Sequence, residues 1–170
     1  LYMGVSVEQS LRQAGATADG VLLSIMSSAE YAAWARRMVD EGAKEAGRKS
    51  HVPISVYVPL YLGEQAEAAK AMAHTIAYFV GVGANRVFIK ESGISAEELR
   101  PLAERAASGE DAADLVTASI ADRYTICGGK EHCLQRLQEY FDAGVDQVIL
   151  CSCDEVSALQ MMEFAKKLFE

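Results

Sequence analysis

Cysteine and histidine side chains gather in the C-terminal part of the sequence and are the first candidates for chemistry. Cys151 and Cys153 flank one serine, which places both thiols on one face of a strand, and Cys127 and Cys133 precede them, with His132 adjacent. Such groups can hold a soft metal ion, but their spacing matches no common zinc motif. Since free cysteines are often buried, we favour a structural role without metal. A reactive thiol at Cys151 or Cys153 is the alternative.

A second candidate is the sequence Gly128-Gly129-Lys130, which opens a predicted helix. A helix that begins with glycines can cradle a phosphate on its free backbone N–H groups, and Lys130 would add a positive charge. The sequence is not a Walker motif, however, and two glycines before a helix more often form a tight turn. We favour the turn.

The elements that must position these groups begin with a compact βαβ unit. The sequence YMGVS predicts a strand, the following helix should stop at Ala14-Gly15, and VLLS predicts a second strand ending at Ser24. The chain opens on Leu1 rather than methionine, so we expect it to start inside a repeating fold.

The rest of the sequence continues this alternation. Pro59 lies within the strand-like sequence ISVYVPLYLG and should occupy a bulge or lie beyond the paired part. Further helices are predicted at about 28–46, 64–82, 95–107, 110–120, 130–143 and 156–169, with a last strand at 145–153. Apolar strands that alternate with helices indicate an α/β fold with a parallel sheet, here of about four βα units. Residues 83–124 form a predicted helical insertion within a single domain, 1–170.

Composition limits the possible functions. The chain has 170 residues, of which 51% are hydrophobic, and a net charge of −8. The acidic balance argues against nucleic acid as a partner, and the longest apolar stretch, 71–84, is too short to cross a membrane. Four cysteines in a chain too large to need disulfides favour a reducing, cytoplasmic location. A complete eight-stranded βα barrel needs about 250 residues and would not fit.

Three stretches of the sequence resemble the luciferase-like flavin and deazaflavin oxidoreductases, and within them the methylenetetrahydromethanopterin reductase type. The first combines Tyr2-Met3-Gly4, LRQAG at 11–15 and ADGVLL at 18–23; the second runs from Trp34 to Gly47-Arg48; the third runs from Gly128 to Leu150. Together they cover nearly the whole chain, and their order and spacing are more specific than any one of them.

The resemblance implies a TIM-type βα barrel with an insertion after strand seven. This chain would supply strands five to eight, a partial barrel with open edges and an exposed face. An isolated half-barrel monomer is physically implausible. We therefore expect a homo-oligomer, or a partner polypeptide that carries the N-terminal half.

The resemblance also implies a cofactor, FMN or coenzyme F-420, bound at the C-terminal mouth of the barrel. Its phosphate would lie where the first strand meets the first helix, where backbone N–H groups and the helix dipole favour an anion. In this sequence the cofactor-binding positions are Gly4, Val5, Ser6, Val7, Gln9 and Ser10. Relatives often have Gly-Pro-Lys where this chain has Val7-Glu8-Gln9, which replaces a cation with a carboxylate. The hydroxyls of Ser6 and Ser10 can still donate.

The activity that the resemblance implies is hydride transfer or monooxygenation on a small-molecule substrate. In the family most contacts to the cofactor ring come from the first four strands, so this chain needs self-assembly or the missing half to be active. The catalytic residues are not predicted. The alternative is a non-catalytic half-barrel that binds a phosphate-bearing small molecule, or that serves only as an assembly module.

Overall fold

The computed structural model describes residues 1–61, 63–83, 86–152 and 158–168. Strands and helices alternate along the chain, as the sequence predicts. The first part contains β1 (Tyr2–Gly4), α1 (Glu8–Thr17), β2 (Gly20–Leu23), α2 (Ala29–Glu45), β3 (Ile54–Tyr61) and α3 (Gln65–Gly83). The second part contains α4 (Val87–Lys90), α5 (Ala96–Ala107), a 3-10 helix (Ala113–Leu115), α6 (Ala118–Tyr124), β4 (Ile126–Cys127), α7 (Lys130–Asp142), β5 (Gln147–Ser152) and α8 (Ala158–Leu168).

The strands form one parallel sheet in which β1, β2, β3 and β5 lie side by side. Tyr2 pairs with Gly20, so the N-terminal βαβ unit is confirmed. The short strand β4 pairs with the end of β3 through Leu60 and Ile126. Because Leu60 also pairs with Ser152 of β5, β4 must occupy the opposite edge of β3, beyond the end of β2. The result is a partial βα barrel.

The prediction for Pro59 was wrong, because this residue lies within the paired part of β3, opposite Cys151. Successive residues of a strand direct their backbone groups to opposite edges. The carbonyl of Pro53 accepts from β2 and that of Ile54 accepts from Asp146, so the nitrogen of Pro59 faces the β2 edge. Pairing with β2 ends at Val56 and pairing with β4 starts only at Leu60, so the missing N–H falls in a gap.

The end of the first helix also differs from the prediction. Helix α1 continues past Gly15 to Thr17. Gly15 is needed inside the helix because a Cβ there would collide with the carbonyl of Val39 on α2, and a Cβ at Gly42 would collide with the carbonyl of Arg12. The two glycines let the backbones of α1 and α2 pack directly against each other.

The segment between α3 and β4 is helical and has its own apolar core, which we call the insertion core. Its buried side chains include Met72, Ile76, Leu99, Leu102 and Ile120. The predicted helix at 110–120 was wrong: a 3-10 helix and α6 stand there instead. The side chain of Thr117 caps α6 by accepting from the N–H of Ile120, so a new helix begins where the prediction had one ending.

The two faces of the sheet have different surroundings. On β3, Ile54, Val56, Val58 and Leu60 are fully buried against the helices. Tyr57 points to the other face, which is the interior of a barrel, and is 38% exposed. Tyr2 is exposed and its ring covers Gly20. Since alternate residues of a strand face opposite sides, the described residues leave the inner face of this sheet partly open.

Candidate functional site

A small cavity lies at the C-terminal ends of β1 and β2, the edge at which βα barrels place their active sites. Its volume is about 150 Å³. Hydroxyl, aromatic and guanidinium groups share the lining, which consists of Ser6, Ser24, Ile25, Ser27, Tyr31, Phe79, Arg86 and Phe88. The turn after β1, the turn after β2, helices α2 and α3 and the start of the insertion therefore meet here. We call this cavity the mouth pocket.

The turn after β1 is held by a buried phenol. The hydroxyl of Tyr31 on α2 donates to the backbone carbonyl of Ser6 at 2.8 Å. Burial raises the pKa of Tyr31, so the phenol stays protonated and keeps donating. Tyr31 is itself fixed because its backbone N–H donates to the Oγ of Ser28, which caps α2. Ser6, with its carbonyl held in this way, lines the mouth pocket.

The turn after β2 is held in a similar way from the opposite side. The hydroxyl of Tyr140 on α7 donates to the carbonyl of Ser27 at 2.9 Å, and the Oγ of Ser27 donates to the carbonyl of Ser24 at 2.7 Å. Burial raises the pKa of Tyr140 as well.

The turn after β2 contains one residue, Met26, with an unusual backbone conformation. Met26 has a φ of 71° and is the non-glycine residue with a left-handed conformation among those described. Its side chain is fully buried in the insertion core, which compensates for the backbone strain. The turn is therefore anchored to the insertion at the same point at which it lines the pocket.

The charge of the mouth pocket comes from Arg86. This exposed residue precedes α4, and it forms no ion pair with the carboxylates that the structure describes. A guanidinium without an ion pair among the described residues, beside the serines of two strand ends, suits a phosphate group, which accepts several hydrogen bonds at once. Small-ligand pockets usually measure roughly 300–1,000 Å³, so a volume of about 150 Å³ suits one phosphate group rather than a whole cofactor.

The structure brings one of the six predicted cofactor residues into this pocket, namely Ser6. Gly4 is exposed at the end of β1 with open space around its Cα, and Val5 packs against the core below the sheet. Val7 is the N-cap residue of α1 and offers no side-chain cap, which leaves the first N–H groups of the helix free. Gln9 is exposed in that first turn.

Ser10 behaves differently from Ser6. Its hydroxyl donates to the carbonyl of Val7 at 3.0 Å, so its hydrogen is already used within the helix. Of the two predicted hydroxyl donors, Ser6 lines the cavity and Ser10 does not.

Sequence reasoning missed Ser24, Ser27 and Arg86. The first two carried a signal, because Ser24 ends the predicted strand VLLS and Ser27 comes three residues later, and the end of a barrel strand is where functional groups lie. Arg86 carried none: it is separated by more than fifty residues from the serines, as its number shows, and only the packing of the insertion brings it to the pocket.

The cysteines agree with a structural role. Cys127 and Cys133 are buried free thiols, and burial raises the pKa of both, that of Cys133 to about 11. Burial also raises the pKa of Cys151, which argues against a reactive thiolate there. Cys153 lies outside the described residues. Within the part of the chain that the structure describes, no three His, Cys, Asp or Glu side chains form a group that could hold a metal ion.

The Gly128-Gly129-Lys130 sequence forms a turn at the start of α7. Gly128 has a φ of 103°, a conformation that favours glycine, and its carbonyl faces the Sγ of Cys133. Nearby, His132 contacts Asp122 at 2.8 Å, which ties α7 to α6. These contacts give the glycines a structural role at the start of α7.

No helix among the described residues is long and apolar enough to span a bilayer.

Solved structures support the partial-barrel description. The coenzyme F-420-dependent tetrahydromethanopterin reductase of Methanopyrus kandleri superposes with a TM-score of 0.73 at 25% identity, covering 96% of this chain and 47% of that one. An F-420-dependent secondary alcohol dehydrogenase, solved with an F-420-acetone adduct, shares the fold with a TM-score of 0.68 at 14% identity, covering 98% of this chain and 47% of that one.

Sequence comparisons point the same way. The 5,10-methylenetetrahydromethanopterin reductase of Methanolobus tindarius is 29% identical over 153 residues, which are 88% of this chain and 47% of the relative. The enzyme of that name from Methanopyrus kandleri is 28% identical over 154 residues, 89% of this chain and 44% of the relative. The chain thus spans about half the length of these relatives. Residues 1–147 match the sequence profile of the family described as luciferase-like monooxygenase. The chain therefore belongs to the luciferase-like monooxygenase family.

Proposed function

We propose that this chain supplies the phosphate-binding side of a coenzyme F-420 site in a luciferase-like oxidoreductase. The observation that carries the proposal is the mouth pocket, in which Ser6, Ser24 and Arg86 converge at the ends of the barrel strands, with no ion pair between Arg86 and any described carboxylate. Ser27 lines the same pocket, but its hydroxyl already donates to the carbonyl of Ser24. When bound, coenzyme F-420 accepts or donates a hydride. The residues of this chain hold its phosphate end and so help to orient the ring.

The choice of F-420 over FMN rests on the relatives. Both cofactors carry a phosphate, so the mouth pocket suits either. The Methanopyrus structure, however, is named as a coenzyme F-420-dependent reductase, and it covers 96% of this chain. We therefore take F-420 as the cofactor and FMN as the alternative that a binding experiment must exclude.

The turn at the start of α1 contributes to the same site. Val7 leaves the N–H groups of Glu8 and Gln9 uncapped, and these groups carry the positive end of the helix dipole. Gly4 and Val5 form the strand end that places this turn, and Ser10 stabilises it through its bond to Val7. The carboxylate of Glu8 is exposed, so solvent screens its repulsion of a phosphate.

Activity requires the other side of the barrel. The inner face of the sheet exposes Tyr2 and Tyr57, and this chain spans about half the length of its relatives. We propose that the face packs against a polypeptide equivalent to the other half of those relatives. A second copy of this chain is the competing occupant.

The free thiols of Cys127, Cys133 and Cys151 agree with a cytoplasmic location.

The cofactor proposal is tested by titrating the chain with F-420, FMN and inorganic phosphate in a calorimeter. F-420 should bind, and Arg86→Gln should weaken binding about tenfold because a charge-assisted hydrogen bond is lost. Ser6→Ala should weaken it about fivefold, by the loss of one neutral hydrogen bond. The matched control, Arg37→Gln at an exposed position of α2, should bind as the unmodified chain does.

Three results would contradict this assignment. The cofactor choice is wrong if FMN binds more tightly than F-420. The site is wrong if F-420 binds equally to the chain and to Arg86→Gln, and the cofactor function is wrong if neither cofactor nor phosphate binds at millimolar concentration.

A second function has one observation in its favour. The mouth pocket is assembled entirely from this chain, whereas a catalytic site would need the half of the barrel that these residues do not form. A non-catalytic half-barrel could therefore still bind a phosphate-bearing molecule. Mixing the chain with the N-terminal half of the Methanopyrus reductase separates the two functions. F-420-dependent hydride transfer to a substrate in the mixture supports the enzyme, and phosphate binding without transfer supports the binding module.

A further inference from the structure

A second and larger cavity lies within the insertion, on the far side of α4 from the mouth pocket. Its volume is about 430 Å³, which falls in the usual range for small-molecule sites. The end of α3, α4 and α5 surround it, with the lining Val80, Ile89, Lys90, Ile94, Ala96, Leu99, Arg100 and Ala103. The mouth pocket shares none of these residues. We call this second space the insertion cavity.

The wall of the insertion cavity is apolar. Val80, Ile89, Ile94 and Leu99 are each at least 90% buried and belong to the insertion core. Two small side chains of α5, Ala96 and Ala103, also line the space. An apolar ligand chain or ring placed here would be removed from water over most of its surface, which is the main source of small-ligand affinity.

Two cations mark the rim of this cavity. Lys90 and Arg100 are exposed, whereas the apolar wall is buried. Neither cation forms an ion pair within the described residues. Arg100 lies one helical turn from Glu97 and from Glu104, the spacing at which helical ion pairs form, yet it pairs with neither. Both charges therefore remain available to a ligand.

We propose that the insertion cavity binds a small amphipathic anion, namely a carboxylate attached to a medium-length hydrocarbon chain. The hydrocarbon fills the apolar space, and the carboxylate meets Lys90 and Arg100 at the rim. This arrangement pairs apolar burial with a few polar groups that fix orientation, as small-ligand sites do. In a chain of net charge −8, two unpaired cations beside one apolar cavity favour an anion locally. The proposal does not depend on the cofactor assignment.

The test uses the whole chain and three probes: decanoate below its micellar concentration, decanol below its solubility limit, and acetate. In calorimetric titrations decanoate should bind, decanol should bind roughly tenfold more weakly because it lacks the charge, and acetate should show no binding. Ala103→Phe fills the cavity and should abolish decanoate binding. Ala107→Phe, one turn along the same helix but exposed, is the matched control and should leave binding intact.

Two further variants separate charge from volume. The double change Lys90→Gln and Arg100→Gln should reduce decanoate affinity to that of decanol, whereas Arg37→Gln should leave it unchanged. Circular dichroism checks that each variant is folded, and Ala96→Phe replaces Ala103→Phe if the latter does not fold.

Three outcomes would overturn the proposal: equal binding of decanoate and decanol, undiminished binding by the filled variant, or no binding of decanoate to the unmodified chain. Arg86→Gln should bind decanoate normally, so failure here and failure of the cofactor proposal are distinguishable.

Discussion

The hydroxyl of Tyr31 donates a 2.8 Å hydrogen bond to the backbone carbonyl of Ser6, which joins the second helix to the turn that follows the first strand. Tyr31 is 1% exposed, so little water can replace this bond if it is lost. The contact makes the position of Ser6 depend on α2 rather than on its own short loop. The part of the mouth pocket proposed to bind phosphate is therefore supported by the buried core.

Tyr31→Phe should lower the free energy of unfolding by about 1–2 kcal/mol, because it leaves a half-buried carbonyl without its donor. It should also weaken binding of F-420, since the turn that carries Ser6 becomes less ordered. Urea denaturation and calorimetric titration measure the two effects. Tyr78→Phe, at an exposed position of α3, is the control. If this variant loses as much stability as Tyr31→Phe, the hydrogen bond to Ser6 is not the cause of the loss.

Gly42→Ala should destabilise the chain by about 1–3 kcal/mol or more, because the added methyl group collides with the backbone of Arg12. Gly15→Ala should have a similar effect through the carbonyl of Val39. Gly4→Ala meets open space and should change stability little. Thermal denaturation compares the three variants, and a stable Gly42→Ala protein would contradict the direct helix packing described for α1 and α2.

The stability of the chain should fall as pH rises from about 9 to 11, in part because of Cys133. Burial raises the folded-state pKa of this thiol to about 11, above its ordinary value, so the unfolded chain releases the proton first. The protonated thiol contributes its full stability below pH 9, and about 2–3 kcal/mol is lost as the pH passes the folded pKa.

Cys133→Ala isolates this contribution, because the buried tyrosines titrate in the same direction at high pH. Guanidinium denaturation at pH 8 and at pH 10.5 should show a smaller decrease for the variant than for the unmodified chain. An identical decrease in both proteins would assign the pH dependence to other groups.

Tyr57→Asp should weaken association through the inner face of the sheet by about tenfold or more, since it places a charge in what would become a barrel interior. The side chain is 38% exposed in the chain itself, so the stability of the chain should change little. Analytical ultracentrifugation, with and without the N-terminal half of a relative, measures the association. Tyr78→Asp on the outer surface is the control; equal weakening by that variant would locate the interface elsewhere.

The pattern of apolar strands and capped helices predicted the order of elements well, because local propensity and burial act in the same direction there. Helices α2 and α5 begin within a residue of the predicted positions, where Ser28 and Ser95 cap them. Gly15 and Pro59 were misinterpreted because the structural reason for each residue involves another element. Gly15 lies inside α1 because α2 packs directly against it, and Pro59 is tolerated in β3 because pairing with β2 ends before it.

The candidate site was predictable only in part for the same reason. Ser6 lies in the turn after the first strand, a position that the family resemblance implied as part of the cofactor site. Ser27 and Arg86 converge on it through Tyr140 and through the packing of the insertion, and these contacts have no signature in the local sequence. Helix α4, which follows Arg86, is an example, because tertiary packing rather than the sequence of its four residues fixes its position.

That short helix lies between two cavities. Phe88 and the preceding Arg86 line the mouth pocket, while Ile89 and Lys90 line the insertion cavity. A ligand that shifts α4 from one side therefore alters the geometry on the other. Thermodynamic linkage then requires that each ligand change the affinity of the other by the same factor. If both proposed ligands bind and either shifts α4, this single turn of helix would couple the two sites.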